Sequence, residues 1–327
     1  MLNYIVRRIG YGFLILLGVN LATFFLFFTV NTPDDMARLN IGGKRISAEQ
    51  IAKWKAERGY DKPLYWNEAK PGTEKVTETI FWERSVSLFK LDFGRADAES
   101  AGDIGHQITA RMGASLRLAL PLFILQVFAS TVFALLLVFF RNTRIDFWGV
   151  VLCVLMLSIS SLFYIIVGQF LFSRVFKLVP ISGYAGGLDA LKFLILPVLL
   201  ALVARLGGDA RLYRAMFLEE IGKDYVRTAR AKGLAEHIVL FRHVFKNALI
   251  PIITSAGSYL PYVFLGSLVF ESFFGIPGLG AYVIDAITGQ DFAIVRTMVF
   301  IGSLLYIVSY IVIDIAYTFA DPRVRLN

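Results

Sequence analysis

Three groupings of residues in this chain have types that could do chemistry. Gly113-Ala114-Ser115 sets a hydroxyl among small residues, as a serine nucleophile requires; His237 and His243 lie six apart; and Gly275-Ile276-Pro277-Gly278-Leu279-Gly280 is glycine-rich, as a phosphate loop is. Each lacks a required part. A nucleophilic serine needs a base within hydrogen-bond reach, and the three histidines, His106, His237 and His243, all fall outside the apolar segments, so an intramembrane serine protease is only a remote alternative. Zinc would need a convergent third ligand beside His237 and His243. The glycine run lacks the Lys-Ser/Thr ending of an ATP-binding loop, and G-x-x-x-x-G-K-[ST] occurs nowhere in the sequence. No catalytic, cofactor-binding or metal-ligating residue is therefore expected, and the lone Cys153, in an apolar run, reads as core.

The elements that would position any function are set by composition. The 327 residues are 57% hydrophobic with a mean hydropathy of +0.64, more apolar than one soluble core needs, so lipid is the expected solvent. The formal charge is +8, but the basic residues are interleaved with apolar runs and form no continuous face for nucleic acid. A helix crosses the hydrocarbon core with about 20 apolar residues. Gly10 to Val30, Leu118 to Phe140, Phe147 to Ser173 and Ala248 to Phe270 run without a charge; Phe193 to Ala204 and Thr297 to Ile313 reach spanning length with snorkelling ends. The fold class predicted is all-α, an integral membrane protein with six transmembrane helices.

Basic residues in short connections (Arg7, Arg8, Arg141, Arg144, Arg323, Arg325) place both termini in the cytoplasm. The stretch Arg205 to Asn247, with nine basic residues against five acidic, falls on the same side. Four regions follow: 1–30, the N-terminus and first span; 31–112, a polar extracytoplasmic insertion; 113–320, spans two to six with a long connection at 209–247; and 321–327, a cytoplasmic tail. In the insertion, Ser47 and Gln50 have capping-box spacing for a helix that ends near Gly59, with Ile51, Trp54 and the Lys55 stem on one face. Trp54, Trp66 and Trp82 read as core or interfacial belt residues, with a contact surface for a partner as the alternative.

In the long connection, Asp224 is a candidate N-cap for Tyr225 to Lys232, and Gly233 a left-handed stop. Leu234, Ile238, Phe241, Phe245 and Leu249 then share one face of a second helix. Arg227, Arg230 and Lys232 line a polar edge that either lies on anionic lipid or meets a protein. Within the spans, Gln126, Ser161, Tyr164, Gln169, Ser255 and Tyr259 are candidates to line a translocation path, with helix-to-helix hydrogen bonding as the alternative. Glu271 and Asp314, at span ends, are expected at the interface.

Asp224-Tyr225-Val226-Arg227-Thr228-Ala229-Arg230-Ala231-Lys232-Gly233-Leu234, followed by Arg242-His243-Val244-Phe245-Lys246-Asn247-Ala248-Leu249-Ile250-Pro251, resembles the ATPase-docking loop of binding-protein-dependent ABC importer permeases, in its dipeptide, oligopeptide and nickel branch. The superfamily's Glu-Ala-Ala slots read Arg227, Thr228 and Ala229, so the general pattern is matched poorly and the peptide-branch version well. Tyr4-Ile5-Val6-Arg7-Arg8-Ile9, Gly59-Tyr60-Asp61-Lys62-Pro63-Leu64, Asp92-Phe93-Gly94, Ala114-Ser115-Leu116-Arg117, Leu196-Pro197, Phe274 to Gly280 and Asp321-Pro322-Arg323 are similar too, in order and between the right spans. A longer stretch, Trp66 to Leu88, departs from the common pattern and leaves the substrate subtype open among peptides, which lead, and nickel, opines, sugars or a peptide-like antibiotic.

The resemblance implies the type I ABC importer permease fold in a bacterial inner membrane. It implies a partner second permease, homologous or identical; two ATPase subunits that bind ATP and Mg, the chain itself holding no cofactor; and an extracytoplasmic substrate-binding protein. Asp224, Tyr225, Arg227, Thr228, Ala229, Arg230, Ala231, Lys232, Gly233 and Leu234 would be the ATPase-coupling residues. Gly275 to Gly280 reads as a re-entrant turn between spans five and six.

Overall fold

The computed structural model describes residues 2–42, 46–98 and 102–320; the Asp321-Pro322-Arg323 motif and the basic tail lie outside them. Among the described residues the regular elements are helical. Five helices are long and apolar enough to cross a membrane: α1 (Leu2–Val30), α4 (Ile104–Phe139), α7 (Ala190–Ile221), α9 (Glu236–Leu265) and α12 (Phe292–Ala320). Two more segments pass the same test as bent pairs: α5 (Arg144–Ser158) with α6 (Ser161–Val175), bent by 89°, and α10 (Leu268–Phe274) with α11 (Leu279–Thr288), bent by 87°. The short helices α2 (Pro33–Ile41), α3 (Ala48–Arg58) and α8 (Asp224–Ala231) complete the set used below.

The uncharged run from Phe147 to Ser173 is therefore not one straight rod. Ile159 takes an extended conformation, and Ser160 caps the second limb by accepting a hydrogen bond from the Leu162 N–H. The Tyr164 hydroxyl donates to the Met156 carbonyl (3.1 Å), one of the acceptors left free at the end of α5. α7 does not stop at Arg205 but continues to Ile221, which shortens the connection read as 209–247 to Gly222–Ala235 around α8. Apolar residues at Tyr213, Phe217 and Ile221 keep one stripe of α7 buried through that charged stretch.

The chain forms two compact units. The first contains, of the described residues, Gly113–Ala281 and 308–320. In it α5 packs on α7 at close range: a side chain at Gly207 would meet the Cys153 carbonyl at 2.5 Å, so only glycine fits there, and Cys153 is buried as expected. Arg214 makes a two-pronged ion pair with Asp146 (Nε–Oδ1 2.8 Å, NH2–Oδ2 2.7 Å), fixing the start of α5 to α7.

The second unit contains Leu2–Met112 and Tyr282–Ile307. Phe24 and Phe28 of α1 pack with Met36, Ile51, Trp54 and Tyr60 in one cluster. α3 starts on the expected capping box, Ser47 with Gln50, and stops at Gly59, which is left-handed (φ 70°). Trp54 stacks on Tyr60 at 5.5 Å and is core, whereas Trp66 is exposed. Tyr60 donates to Asp97 Oδ1 (2.8 Å), and Asp97 Oδ2 accepts from the Ala293 N–H (3.1 Å); burial pushes the Asp97 carboxyl above the usual range.

Candidate functional site

Helix α8 is held by its apolar side and open on its polar side. Val226 and Ala229 are buried in a cluster with Ala134, Leu135 and Val138 of α4, Tyr213, Phe217 and Ile221 of α7, and Val239, Val244 and Ala248 of α9. Full burial of a valine contributes about 2 kcal/mol, so α8 is seated on the ends of three long helices. Glu220 of α7 adds a polar tie by accepting from the Tyr225 hydroxyl and from Lys223. Burial first, and then that hydrogen bond, push the Tyr225 hydroxyl up to about 12, so it stays a donor at physiological pH.

The capping differs from expectation. Lys223 is the N-cap, its side chain making no capping bond to the helix, and Asp224 is the first helical residue, where its charge favours the positive end of the helix dipole. Gly233 has φ +75° with nothing within 4 Å of a side chain placed there, so backbone conformation and not space demands glycine. Arg230 folds back onto Glu236 in a two-pronged pair (2.7 and 3.0 Å), which raises the guanidinium above its ordinary value and closes the turn. It is thereby committed within the chain. Asp224, Arg227, Ala231, Lys232 and Leu234 remain exposed, and Thr228 caps back on the Asp224 carbonyl.

The face foreseen for the following helix is rotated. Val239, Leu240, Val244, Ala248 and Ile252 are buried and Phe241 is exposed, because Val239–Phe245 is wound as π-helix and shifts the phase of the side chains.

A second polar constellation lies deeper in the same unit. Asp209 of α7 accepts from Gln126 Nε2 of α4 (Oδ2, 2.8 Å) and from the Tyr259 hydroxyl of α9 (Oδ1, 3.0 Å). Gln126 and Tyr259 line a cavity of ≈ 240 Å³, together with Arg205 and a largely apolar wall. Ser255 lies beside the Tyr213 side chain. Of the six candidates for a path, these three gather here. Ser161 opens α6, Tyr164 closes the α5–α6 bend, and Gln169 donates to the carbonyls of Ile181 (2.9 Å) and Phe273 (3.1 Å), so this second group joins backbone segments.

Residues 114–326 match the family described as binding-protein-dependent transport system inner membrane component, and residues 1–71 match that system's N-terminal membrane component. Comparison with known proteins gives 32% identity to a putative peptide transport system permease protein of Brucella abortus, over 99% of both chains. A di/tripeptide transport system permease protein of Pseudomonas aeruginosa is 30% identical and a glutathione transport system permease protein of Salmonella typhimurium 29%, each over 99% of both chains. The chain belongs to this permease family. It is a multi-pass inner-membrane permease of an ABC importer, a transport subunit and not an enzyme.

In this permease the Gly275–Gly280 run has a purpose that sequence reading missed. Glu271, expected at an interface, is fully buried. Its Oε1 accepts from the Ser115 hydroxyl (2.8 Å) and the Ser267 N–H (3.2 Å), and its Oε2 from the Ala281 N–H (3.1 Å). A side chain at Gly278 would lie 2.3 Å from Oε2, and one at Gly266 2.0 Å from Oε1. The glycines make room for a carboxylate that ties the α10–α11 turn to α4. Ser115 also accepts from the Leu279 N–H (2.7 Å). With Glu271 and a backbone amide as its partners and no histidine base among them, Ser115 is structural, which removes the motive for a protease. An acid flanked by four glycines within an apolar run was the available signal.

Proposed function

We propose that this permease forms half of the translocation path for peptides in an ATP-driven importer. It would pair with a second permease, homologous or identical. Two ATPase subunits, carrying ATP and Mg, would dock at α8, and a binding protein would deliver substrate to the extracytoplasmic face. The peptide class is drawn from the names of the relatives. In this reading both termini and α8 are cytoplasmic, as the basic short connections favour, and 31–112 is the extracytoplasmic insertion.

The observation that carries the coupling role is the burial of Val226 and Ala229 among residues of α4, α7 and α9, beneath an exposed face of Asp224, Arg227 and Lys232. A partner that moves α8 moves the ends of three long helices with it, which is what alternating access requires. The test is peptide uptake and ATP hydrolysis in proteoliposomes holding both permeases, both ATPases and peptide-loaded binding protein. Gly233→Pro cannot adopt φ +75° and loses the N–H that donates to the Arg230 carbonyl. Uptake should fall by about tenfold or more, with peptide-stimulated hydrolysis lost while basal hydrolysis persists. Peptide uptake by the chain without any ATPase subunit would overturn the reading.

A further inference from the structure

Arg205 lies midway along α7, directly after the apolar run from Phe193 to Ala204, and a cation that close to an apolar span invites a functional reading. Its Cζ sits 5.1 Å from the centroid of the Tyr259 ring. Among the described residues no carboxylate forms an ion pair with it, although Asp209 is one helical turn away. Both oxygens of Asp209 are instead engaged by Gln126 and Tyr259. Arg205 is exposed and lines the ≈ 240 Å³ cavity, room for about eight waters, beside Gln126, Leu122, Phe123 and Tyr262. Gln126 Oε1, buried at the same wall, has no hydrogen-bond partner. The wall thus presents one cation, without a carboxylate partner among the described residues, within a largely apolar surround.

We propose that Arg205 binds the terminal carboxylate of a peptide in transit, an assignment that rests on the peptide reading above. A guanidinium presents parallel N–H donors that match a carboxylate in two-pronged geometry, and an aromatic face beneath it holds the plane without competing for those donors. The terminal carboxylate is the anion every unmodified peptide carries, whereas side chains vary; apolar walls contact them without selecting. The ammonium end finds no counterpart here, since Asp209 is not on the wall and both its oxygens are taken. Asp209 is a positioning residue: it holds the Tyr259 ring under the guanidinium and the Gln126 amide at its side.

The experiment compares trialanine with its C-terminal amide in proteoliposomes of the complete importer, with binding protein brought to equal loading by each. Wild type should take up the acid at least tenfold faster than the amide. Arg205→Gln should lower acid uptake to the amide rate in a complex that still assembles, and Arg205→Lys should keep part of the preference. Equal uptake of acid and amide by wild type, an equal loss of both in Arg205→Gln, or dissociation of the Arg205→Gln complex overturns the assignment and leaves peptide import standing. ATP-dependent uptake of neither peptide by wild type overturns the peptide reading, and this inference with it.

Discussion

Glu271 and Asp209 are both buried carboxylates within apolar helices of one compact unit, yet their partners differ in kind. Glu271 accepts from a buried hydroxyl and from backbone N–H groups, and glycines at 266 and 278 shape the space around it. All its neighbours are fixed parts of the fold. Asp209 accepts from two long side chains, Gln126 and Tyr259, and each of these also faces a cavity. A carboxylate saturated by backbone fixes the path of the chain. One saturated by side chains sets the shape and charge of a wall.

Removing each carboxylate sharpens that contrast. Glu271→Ala leaves the Ser267 and Ala281 N–H groups and the Ser115 hydroxyl without their acceptor; at 1–3 kcal/mol for each buried orphan, about 3 kcal/mol or more is lost. The expected result is poor recovery of the assembled permease and a markedly lower thermal midpoint in detergent. An unchanged midpoint would break the comparison, because the knot would then be dispensable. Asp209→Asn removes the charge and one of the two acceptors, so the Tyr259 bond must reverse or the Gln126 bond be lost, which should cost about 1–2 kcal/mol while the complex still assembles. Peptide uptake should fall by about tenfold at unchanged basal ATP hydrolysis. A loss of assembly as severe as that of Glu271→Ala would erase the distinction.

The smallest effect extends the comparison to water. Asp35, fully exposed in the capping box of α2, accepts from the Thr32 N–H (3.1 Å) and hydroxyl (2.6 Å), and these bonds, hydroxyl first, hold its pKa below the usual 3.8. A depressed folded-state value means the contribution is complete above the unfolded value and disappears as pH falls through the folded one. Hydrogen exchange in the first turn of α2, corrected for intrinsic rates, should lose protection only below about pH 4, with the global midpoint unmoved by Asp35→Asn. Asp35→Asn cannot ionise and should show that weakened protection already at neutral pH; full protection in the variant would show that solvent replaces the carboxylate.

Much of the architecture was legible in the sequence because it is decided by local physics. The long apolar runs had to be helices in lipid, since only a helix satisfies its own backbone there. Ser47 and Gln50 are three residues apart and cap α3 whatever surrounds them, and Gly59 and Gly233 stop their helices through conformational freedom that other residues lack. What the sequence left undecided depends on contacts between distant residues. Phe147 to Ser173 carries no proline or charge at its break, and the 89° bend is stabilised by Ser160 and Tyr164 bonds that exist only once the chain has turned. After Gly233 apolar residues occur on more than one face, so the packing of Val239, Val244 and Ala248 against α7 and α8, and not periodicity, selected the buried stripe. The roles of Glu271 and Asp209 were hidden most deeply. A carboxylate in an apolar run reads as an interfacial charge until the partner that desolvates it is known, and for Glu271 that partner, Ser115, is 156 residues away. Hydrogen bonds within a turn are fixed by adjacent side chains, whereas burial of a charge is affordable only when tertiary packing brings its donors to it.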